Sequence, residues 1–84
     1  MTYYCDNKRH LVCVLYSIEN LHKMAEKLEI KRCWFHKDHY DIPKKRIPEI
    51  ESSCYIVSSN VISEIINQEL FKFRNMKKII IVAA

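Results

Sequence analysis

Two kinds of apolar spacing alternate along this sequence, and the alternation constrains the fold more than any other feature. Segments 2–5 and 10–16 are rich in β-branched and aromatic residues, and the polar stretch DNKR separates them, which is typical of two strands joined by a turn. Segment 17–28 instead has apolar residues at helical spacing, and Ser17 precedes them as a natural N-cap. The pattern predicts a pair of strands followed by a helix.

The same alternation continues to the end of the chain. It predicts strands at 31–35, 54–58 and 78–83, a short helical turn after Asp41, a further turn that Pro48 opens, and a long helix at about 60–75. The order β-β-α-β-α-β-α-β predicts a small α/β domain of two or three layers with a mostly parallel sheet. The length predicts that residues 1–84 form a single domain.

Polar residues follow three of the predicted strands directly. Ser17 follows strand 10–16, HKDHYD follows strand 31–35, and Asn60 lies shortly after strand 54–58 at a helix start. Because ligands bind at the carboxyl ends of parallel strands, we expect these residues to share one edge of the sheet. Free N–H groups at the two helix N-termini would favour a phosphate there.

Positive charge is concentrated beside this predicted edge. Residues 31–46 contain six bases and two acids and so account for the whole formal net charge of +4. The six bases are Lys31, Arg32, Lys37, Lys44, Lys45 and Arg46. Such a patch attracts anions, although a solvated lysine-rich turn has the same composition.

The polar residues of this region are compatible with metal binding or with catalysis. His36, His39 and Asp41 form the pattern H-x-x-H-x-D, whose side chains are potential zinc ligands, but two histidines in a loop are more often structural, and no metal site is predicted. His39 could instead act as a general acid or base oriented by Asp41 or Asp6, with Tyr40 as a proton donor. In the simplest alternative, Asp41 caps the next helix and His39 is a structural hydrogen-bonding residue.

The prediction that uses most of these observations is a module that binds a phosphorylated or nucleotide-like anion. Basic side chains would hold the phosphate, and an aromatic ring would stack on a base. The predicted ligand-binding residues are Asp6, Ser17, Trp34, His36, His39, Tyr40, Asp41, Lys44, Lys45, Arg46 and Asn60. Alternatives are a small enzyme that uses His39 with Asp41 on a phosphorylated substrate, or a nucleic-acid-binding or protein-binding inhibitor module.

The stretch LHKMAEKLEIKRCWFHKDHYDIPKKR resembles the core of the DUF4031 family, small bacterial and phage domains of unknown function. The likeness covers residues 3–66 and includes the Trp-Phe pair, the His-Tyr-Asp triplet and the Lys/Arg-rich segment after it. The chain departs from the family pattern at three positions. The family often has Gln where this chain has His36, and Thr or Ser where it has Pro43. Pro48 interrupts what resembles a longer helix in the family. The resemblance implies a polar site around the triplet and no particular reaction.

The composition excludes several classes of site. The chain contains no glycine, so glycine-rich nucleotide loops are excluded, and no cofactor is predicted. Of its four cysteines, Cys13, Cys33 and Cys54 lie among apolar residues and are predicted to be free, buried thiols. No apolar run is long enough for a membrane span or resembles a signal peptide, which predicts a cytoplasmic protein without a membrane partner.

Three further expectations concern packing. A chain of 84 residues buries a modest core, which favours a homo-oligomer. His22 lies beside the apolar face of the first helix and is predicted to pack there half-buried. His10, at the start of its strand, is predicted to lie near the opposite end of the sheet from the site, unless the first hairpin curls over.

Overall fold

The computed structural model describes residues 1–67, and a five-stranded sheet forms their centre. The strands are β1 (Thr2–Cys5), β2 (His10–Val14), β3 (Phe35–His36), β4 (His39–Asp41) and β5 (Tyr55–Ile56), in the spatial order β3-β4-β2-β1-β5. Only β1 and β5 pair in parallel, and the other three pairs are antiparallel. The α/β class is correct, but the predicted mostly parallel sheet is wrong, because the sheet is mixed.

The segment after α1 explains this difference. Residues Arg32–Trp34 form a 3-10 turn rather than most of a strand, and β3 then turns tightly back into β4. Lys37 adopts a left-handed backbone with φ 57° in that turn. Since the chain reverses here instead of crossing over, the His-Tyr-Asp triplet becomes a strand that is antiparallel to both of its neighbours.

The helices lie close to their predicted positions. Helix α1 (Ile18–Lys27) begins at the N-cap Ser17, whose Oγ accepts the Asn20 N–H at 3.0 Å. Helix α2 (Ile47–Glu51) has Pro48 in its first turn, where a missing N–H costs little. Helix α3 begins at residue 59, after Ser58, and is described to residue 67. The rest of the predicted helix to residue 75 and the predicted strand 78–83 lie outside the described residues.

The C-terminus of α1 is closed by a turn that usually contains glycine. The Ile30 N–H donates to the Ala25 carbonyl at 2.8 Å, and the Glu29 N–H donates to the Glu26 carbonyl at 3.2 Å. Glu29 accordingly has a φ of 57°. These are the two bonds of a Schellman motif, built here with a glutamate at the left-handed position.

Strand alternation divides the residues of β2 and β4 between the two faces of the sheet. Leu11 lies opposite Tyr40 on the face that packs against α1, where the His22 ring contacts both Tyr40 and Phe35. The His10–Asp41 pair lies on the other face. The start of α3 lies beside this second face, so its polar residues are held between the sheet and a helix.

The buried core contains residues from both faces. It consists of Cys5, Leu11, Val12, Cys13, Leu21, Met24, Ala25, Ile30, Tyr40, Ile42, Ile50 and Ile62. All four cysteines are free thiols, as predicted, but Cys54 is half-buried and Cys33 is exposed, so the prediction of burial is wrong for Cys33. Within residues 1–67, no helix has the length and apolar character needed to cross a bilayer.

Candidate functional site

Asp6 and His10 form a hydrogen-bonded pair at the turn between β1 and β2. The Oδ2 of Asp6 lies 2.7 Å from the Nδ1 of His10. The Oδ1 of Asp6 accepts the backbone N–H groups of Lys8 at 2.9 Å and His10 at 3.0 Å. His10 therefore belongs to the polar cluster that contains Asp6, whereas the sequence predicted it at the opposite end of the sheet.

Asp6 is almost completely buried, with 1% of its surface exposed, and it is fully hydrogen-bonded. The Ser59 hydroxyl, at the start of α3, donates to its Oδ2 at 2.7 Å. Burial alone would raise the pKa of Asp6, but the hydrogen bonds from Ser59, His10 and Lys8 outweigh it and hold the pKa below its usual range. The ionised carboxylate favours the tautomer in which His10 donates from Nδ1, which leaves a lone pair on its Nε2.

His39 lies between two other carboxylates. Its Nδ1 is 2.8 Å from the Oδ1 of Asp38, and its Nε2 is 3.2 Å from the Oδ1 of Asp41. The Tyr16 hydroxyl donates to the Asp38 carbonyl at 2.7 Å and so fixes the turn that bears Asp38. Only 14% of the His39 side chain is exposed, so its ring is held in one orientation.

The two histidines meet beside a small pocket. Their ring centroids are 4.8 Å apart, in an edge-to-face arrangement. The pocket has a volume of about 200 Å³ and is lined by His10, Asp38, His39, Ser59, Ile62, Ser63 and Ile66. We call Asp6, His10, Asp38, His39 and Asp41 the histidine cluster.

The histidine cluster contains a group of side chains that could hold a metal ion. His10, His39 and Asp41 each offer one ligand atom, and the three atoms lie within 4.8 Å of one another. The set differs from the H-x-x-H-x-D pattern of the sequence because His10 takes the place of His36. His36 is exposed, and its ring centroid lies 5.5 Å from that of His39.

A second concave surface surrounds Trp34, 37% of whose surface is exposed. One pocket of about 380 Å³ is lined by Arg9, Trp34, Pro43, Lys44 and Lys45. A second, of about 290 Å³, shares Trp34, Pro43 and Lys45 with it and is also lined by Glu29, Ile30, Lys31 and Arg46. We call the two adjoining pockets the Trp34 groove.

The guanidinium of Arg46 is occupied by the protein itself. Its Nη1 donates to the Glu29 carbonyl at 2.6 Å, its Nη2 to the Leu28 carbonyl at 2.7 Å, and its Nε to the Glu49 carboxylate at 2.8 Å. These bonds satisfy carbonyl groups at the C-terminus of α1. The arrangement favours a structural role for Arg46 over ligand contact.

The remaining predicted site residues do not converge on one place. Tyr40 is buried in the core, where its hydroxyl shares a hydrogen bond of 2.7 Å with the Nδ1 of His22. Ser17 caps α1, and Asn60 is exposed in the first turn of α3. The residues predicted as a single site are therefore divided mainly between the histidine cluster, the Trp34 groove and the core.

Sequence reasoning missed His10 and Arg9, and it placed Ser59 at a helix start beside the site without predicting its bond to Asp6. A short turn between two antiparallel strands brings the residues that flank it together. The D-x-x-x-H spacing of Asp6 and His10 was therefore the signal from which the position of His10 could have been predicted. The positions of Arg9 and Ser59 depend on their contacts with Ile42 and with Asp6, which no local pattern in the sequence indicates.

Comparison with known proteins agrees with the likeness seen in the sequence. The model of a family described as "Protein of unknown function (DUF4031)" matches residues 5–69. Neither the curated proteins nor the solved structures include a match to the chain.

Proposed function

We propose that this chain, which belongs to the DUF4031 family, binds a phosphorylated, nucleotide-like anion in the Trp34 groove. The observation that carries the proposal is a part-exposed indole in an apolar pocket with three cationic side chains around it. Those side chains are Arg9, Lys44 and Lys45.

The chemistry of this pocket suits a ligand with one flat face and one negative end. The indole of Trp34 and the ring of Pro43 provide apolar surface on which a base can stack. Lys44 and Lys45 contribute their aliphatic stems to the pocket while their ammonium groups remain available to a phosphate.

The size of the pocket agrees with this class of ligand. Its volume of about 380 Å³ falls at the lower end of the range usual for small-molecule sites, which begins at roughly 300 Å³. The adjoining pocket extends the groove toward Lys31, which adds a fourth cationic side chain. A mononucleotide fits this scale better than a larger cofactor does.

The intrinsic fluorescence of the protein tests the proposal directly, because Trp34 is the only tryptophan in the chain. We expect ADP, titrated into the full chain in the presence of EDTA, to quench Trp34 emission in a saturable way. Inorganic phosphate should compete without causing the same quenching, since it has no ring to stack. Absence of any change up to millimolar ADP contradicts the proposal.

A matched pair of charge variants assigns the effect to the groove. Lys44→Ala/Lys45→Ala removes two positive charges from the pocket, and we expect it to weaken ADP binding about tenfold or more. Lys23→Ala/Lys27→Ala removes the same charge from exposed positions on α1 and should leave binding within about twofold. Equal losses in both variants would indicate attraction by net charge alone.

Binding of a nucleic acid is the outcome that would redirect the proposal. A single-stranded oligonucleotide that quenches Trp34 far more strongly than ADP, with a steep salt dependence, would identify a strand-binding groove. Quenching by neither probe would leave a protein partner, or catalysis at the histidine cluster, as the alternatives.

A second candidate function is acid–base catalysis on a phosphorylated substrate at the histidine cluster. The observation in its favour is that His39 lies between Asp38 and Asp41, beside a pocket. Phosphatase assays with p-nitrophenyl phosphate and with ADP test it. Turnover that His39→Ala or Asp41→Asn abolishes would support catalysis, and no turnover by the wild type would count against it.

The proposal includes a cytoplasmic location and self-association. Four free cysteines suit a reducing compartment. Tyr55 and Ile56 of β5 are exposed, with 64% and 62% of their surfaces accessible, which suits contact between two copies. Light scattering during gel filtration, with Ile56→Lys as the test variant, should give a dimer for the wild type and a monomer for the variant.

A further inference from the structure

We infer that the histidine cluster binds one divalent transition-metal ion, with His10, His39 and Asp41 as its ligands. The inference is independent of the proposed nucleotide site, because it rests on different residues on a different surface. The three ligand atoms already lie within 4.8 Å of one another beside a pocket of about 200 Å³.

Asp41 and His39 already have the spacing of two ligands of one ion. Metal–ligand bonds of about 2.0–2.2 Å place neighbouring ligand atoms of a tetrahedral ion roughly 3.3–3.6 Å apart, close to the distance observed here. The Nε2 of His39 lies 3.2 Å from the Oδ1 of Asp41. The ligand atom of His10 lies within 4.8 Å of both.

Each histidine also has the carboxylate partner that is common behind metal ligands. The Nδ1 of His10 is 2.7 Å from Asp6, and the Nδ1 of His39 is 2.8 Å from Asp38. Such partners fix the orientation of each ring, with Nε2 directed away from the carboxylate behind it. The Nε2 of His39 makes a hydrogen bond of 3.2 Å to Asp41, which an ion bound between the two atoms would replace. Both imidazoles are thereby prepared to bind an ion through Nε2.

The charge of the cluster favours a cation. Asp6, Asp38 and Asp41 bring three carboxylates around two imidazoles within a partly buried volume. Like charges gathered in this way are stabilised by a divalent ion. Two nitrogen ligands and one oxygen ligand favour Zn²⁺, Mn²⁺ or Fe²⁺ over Mg²⁺ and Ca²⁺, which prefer oxygen alone.

The remaining coordination positions would face the pocket between the sheet and α3. Three protein ligands leave at least one position open on a four-coordinate ion. Ser59 and Ser63 line that pocket, and their hydroxyls can hydrogen-bond to a water or an anion bound to the metal. The geometry is that of an open site rather than of a closed structural one.

The test is metal titration of the full chain after treatment with EDTA and its removal. We expect calorimetry to show one Zn²⁺ per chain and little heat from Mg²⁺, and Co²⁺ to give ligand-field absorption without a strong thiolate charge-transfer band. A Cys33→Ser variant guards against binding by the exposed thiol and should take up Zn²⁺ like the wild type. No uptake of Zn²⁺ or Co²⁺ by the wild type overturns the inference.

Variants of the two histidines that line the pocket, compared with a variant of the exposed His36, identify the ligands. His10→Ala and His39→Ala should each weaken Zn²⁺ binding by at least about 100-fold, and Asp6→Asn, at a positioning residue, by about 10–100-fold. His36→Ala is the matched control, with an expected change below about threefold. The assignment would be overturned if His36→Ala lost Zn²⁺ binding while His10→Ala kept it. Loss of Zn²⁺ binding in Cys33→Ser would overturn it as well.

Two controls keep this test independent of folding and of the nucleotide proposal. If a histidine variant fails to fold by circular dichroism, the comparison rests on Asp41→Asn, which preserves the shape of the ligand, with the same expected loss. Lys44→Ala/Lys45→Ala should bind Zn²⁺ like the wild type, and His10→Ala should still respond to ADP in EDTA. The metal inference and the nucleotide proposal can therefore fail separately, and the experiments distinguish the two failures.

Discussion

The hydroxyl of Tyr40 and the Nδ1 of His22 share a hydrogen bond of 2.7 Å inside the core. The bond joins the centre of β4 to α1, and the Phe35 ring packs against both side chains. The middle residue of the His-Tyr-Asp triplet is therefore a packing residue, while its two neighbours point to the opposite face. The half-buried position predicted for His22 is confirmed.

Tyr40→Phe should lower the free energy of unfolding by about 1–2 kcal/mol, because it leaves the His22 nitrogen without its partner in a part-buried position. Tyr55→Phe is the matched control, since Tyr55 is 64% exposed and should change stability by less than about 0.5 kcal/mol. Urea denaturation of the three proteins measures the difference. Equal stability of Tyr40→Phe and the wild type would show that the bond contributes nothing net.

Arg46→Ala should destabilise the protein, because it removes the donors that satisfy the Leu28 and Glu29 carbonyls at the end of α1. We expect a fall in melting temperature of roughly 5 °C. Lys45→Ala, at the neighbouring exposed position, should melt like the wild type. A stable Arg46→Ala that fails to bind ADP would instead support the ligand-binding role that the sequence predicted.

Glu29→Gly should stabilise the protein by about 1 kcal/mol, because a left-handed backbone costs an L-residue about that much and costs glycine little. The same substitution at Glu26, within α1, should destabilise by about 1 kcal/mol. Thermal melts of the two variants should thus move in opposite directions. A fall in stability for Glu29→Gly would show that the Glu29 side chain contributes more than its backbone costs.

Three thiols should resist modification in the folded protein. Burial is the largest cause that raises the pKa of Cys5, of Cys13 and of Cys54, the last to about 12. Only the thiolate reacts readily, so we expect Ellman's reagent at pH 8 to modify Cys33 quickly and the other three after denaturation. Rapid reaction of all four would show that the sheet opens readily.

The raised thiol pKa values also predict a loss of stability at high pH. Below pH 9.0, the ordinary value for cysteine, the thiols are protonated in both states and their contribution is fully present. As the pH rises above that value, the unfolded chain releases protons that the folded chain keeps, so the free energy of unfolding falls toward pH 12. Urea titrations at several alkaline pH values should show a shallower fall for Cys54→Ser than for the wild type.

Local features of the sequence predicted the elements they control. Ser17 begins α1 as expected, because a capping side chain needs only the backbone three residues ahead. The reversal at Lys37 could not be predicted in this way. Glycine is the usual signal for a positive φ, and this chain has no glycine, so the left-handed turn occurs at a lysine. Residues 31–35 were therefore predicted to form a strand with parallel neighbours, whereas the sheet is mainly antiparallel.

The wrong prediction of a mostly parallel sheet also limited what could be predicted about the polar residues. Asp6, His39 and Asp41 were placed together, and the structure holds them in one cluster. His10 was excluded because a parallel sheet would have put the start of β2 far from the ends of its neighbours. Trp34 and Tyr40 depend on the register of the β3–β4 pair, which decides the face on which each side chain lies.

The parallel pairing of β1 with β5 has a consequence for the order of assembly during synthesis. Tyr4 pairs with Tyr55, so most of the described chain must leave the ribosome before the first strand gains its second neighbour. The hydroxyl of Ser59 reaches Asp6 later still. A nascent chain that has already formed its two hairpins therefore holds Asp6 and His10 beside open solvent, and the cleft over them closes only when translation has passed α3.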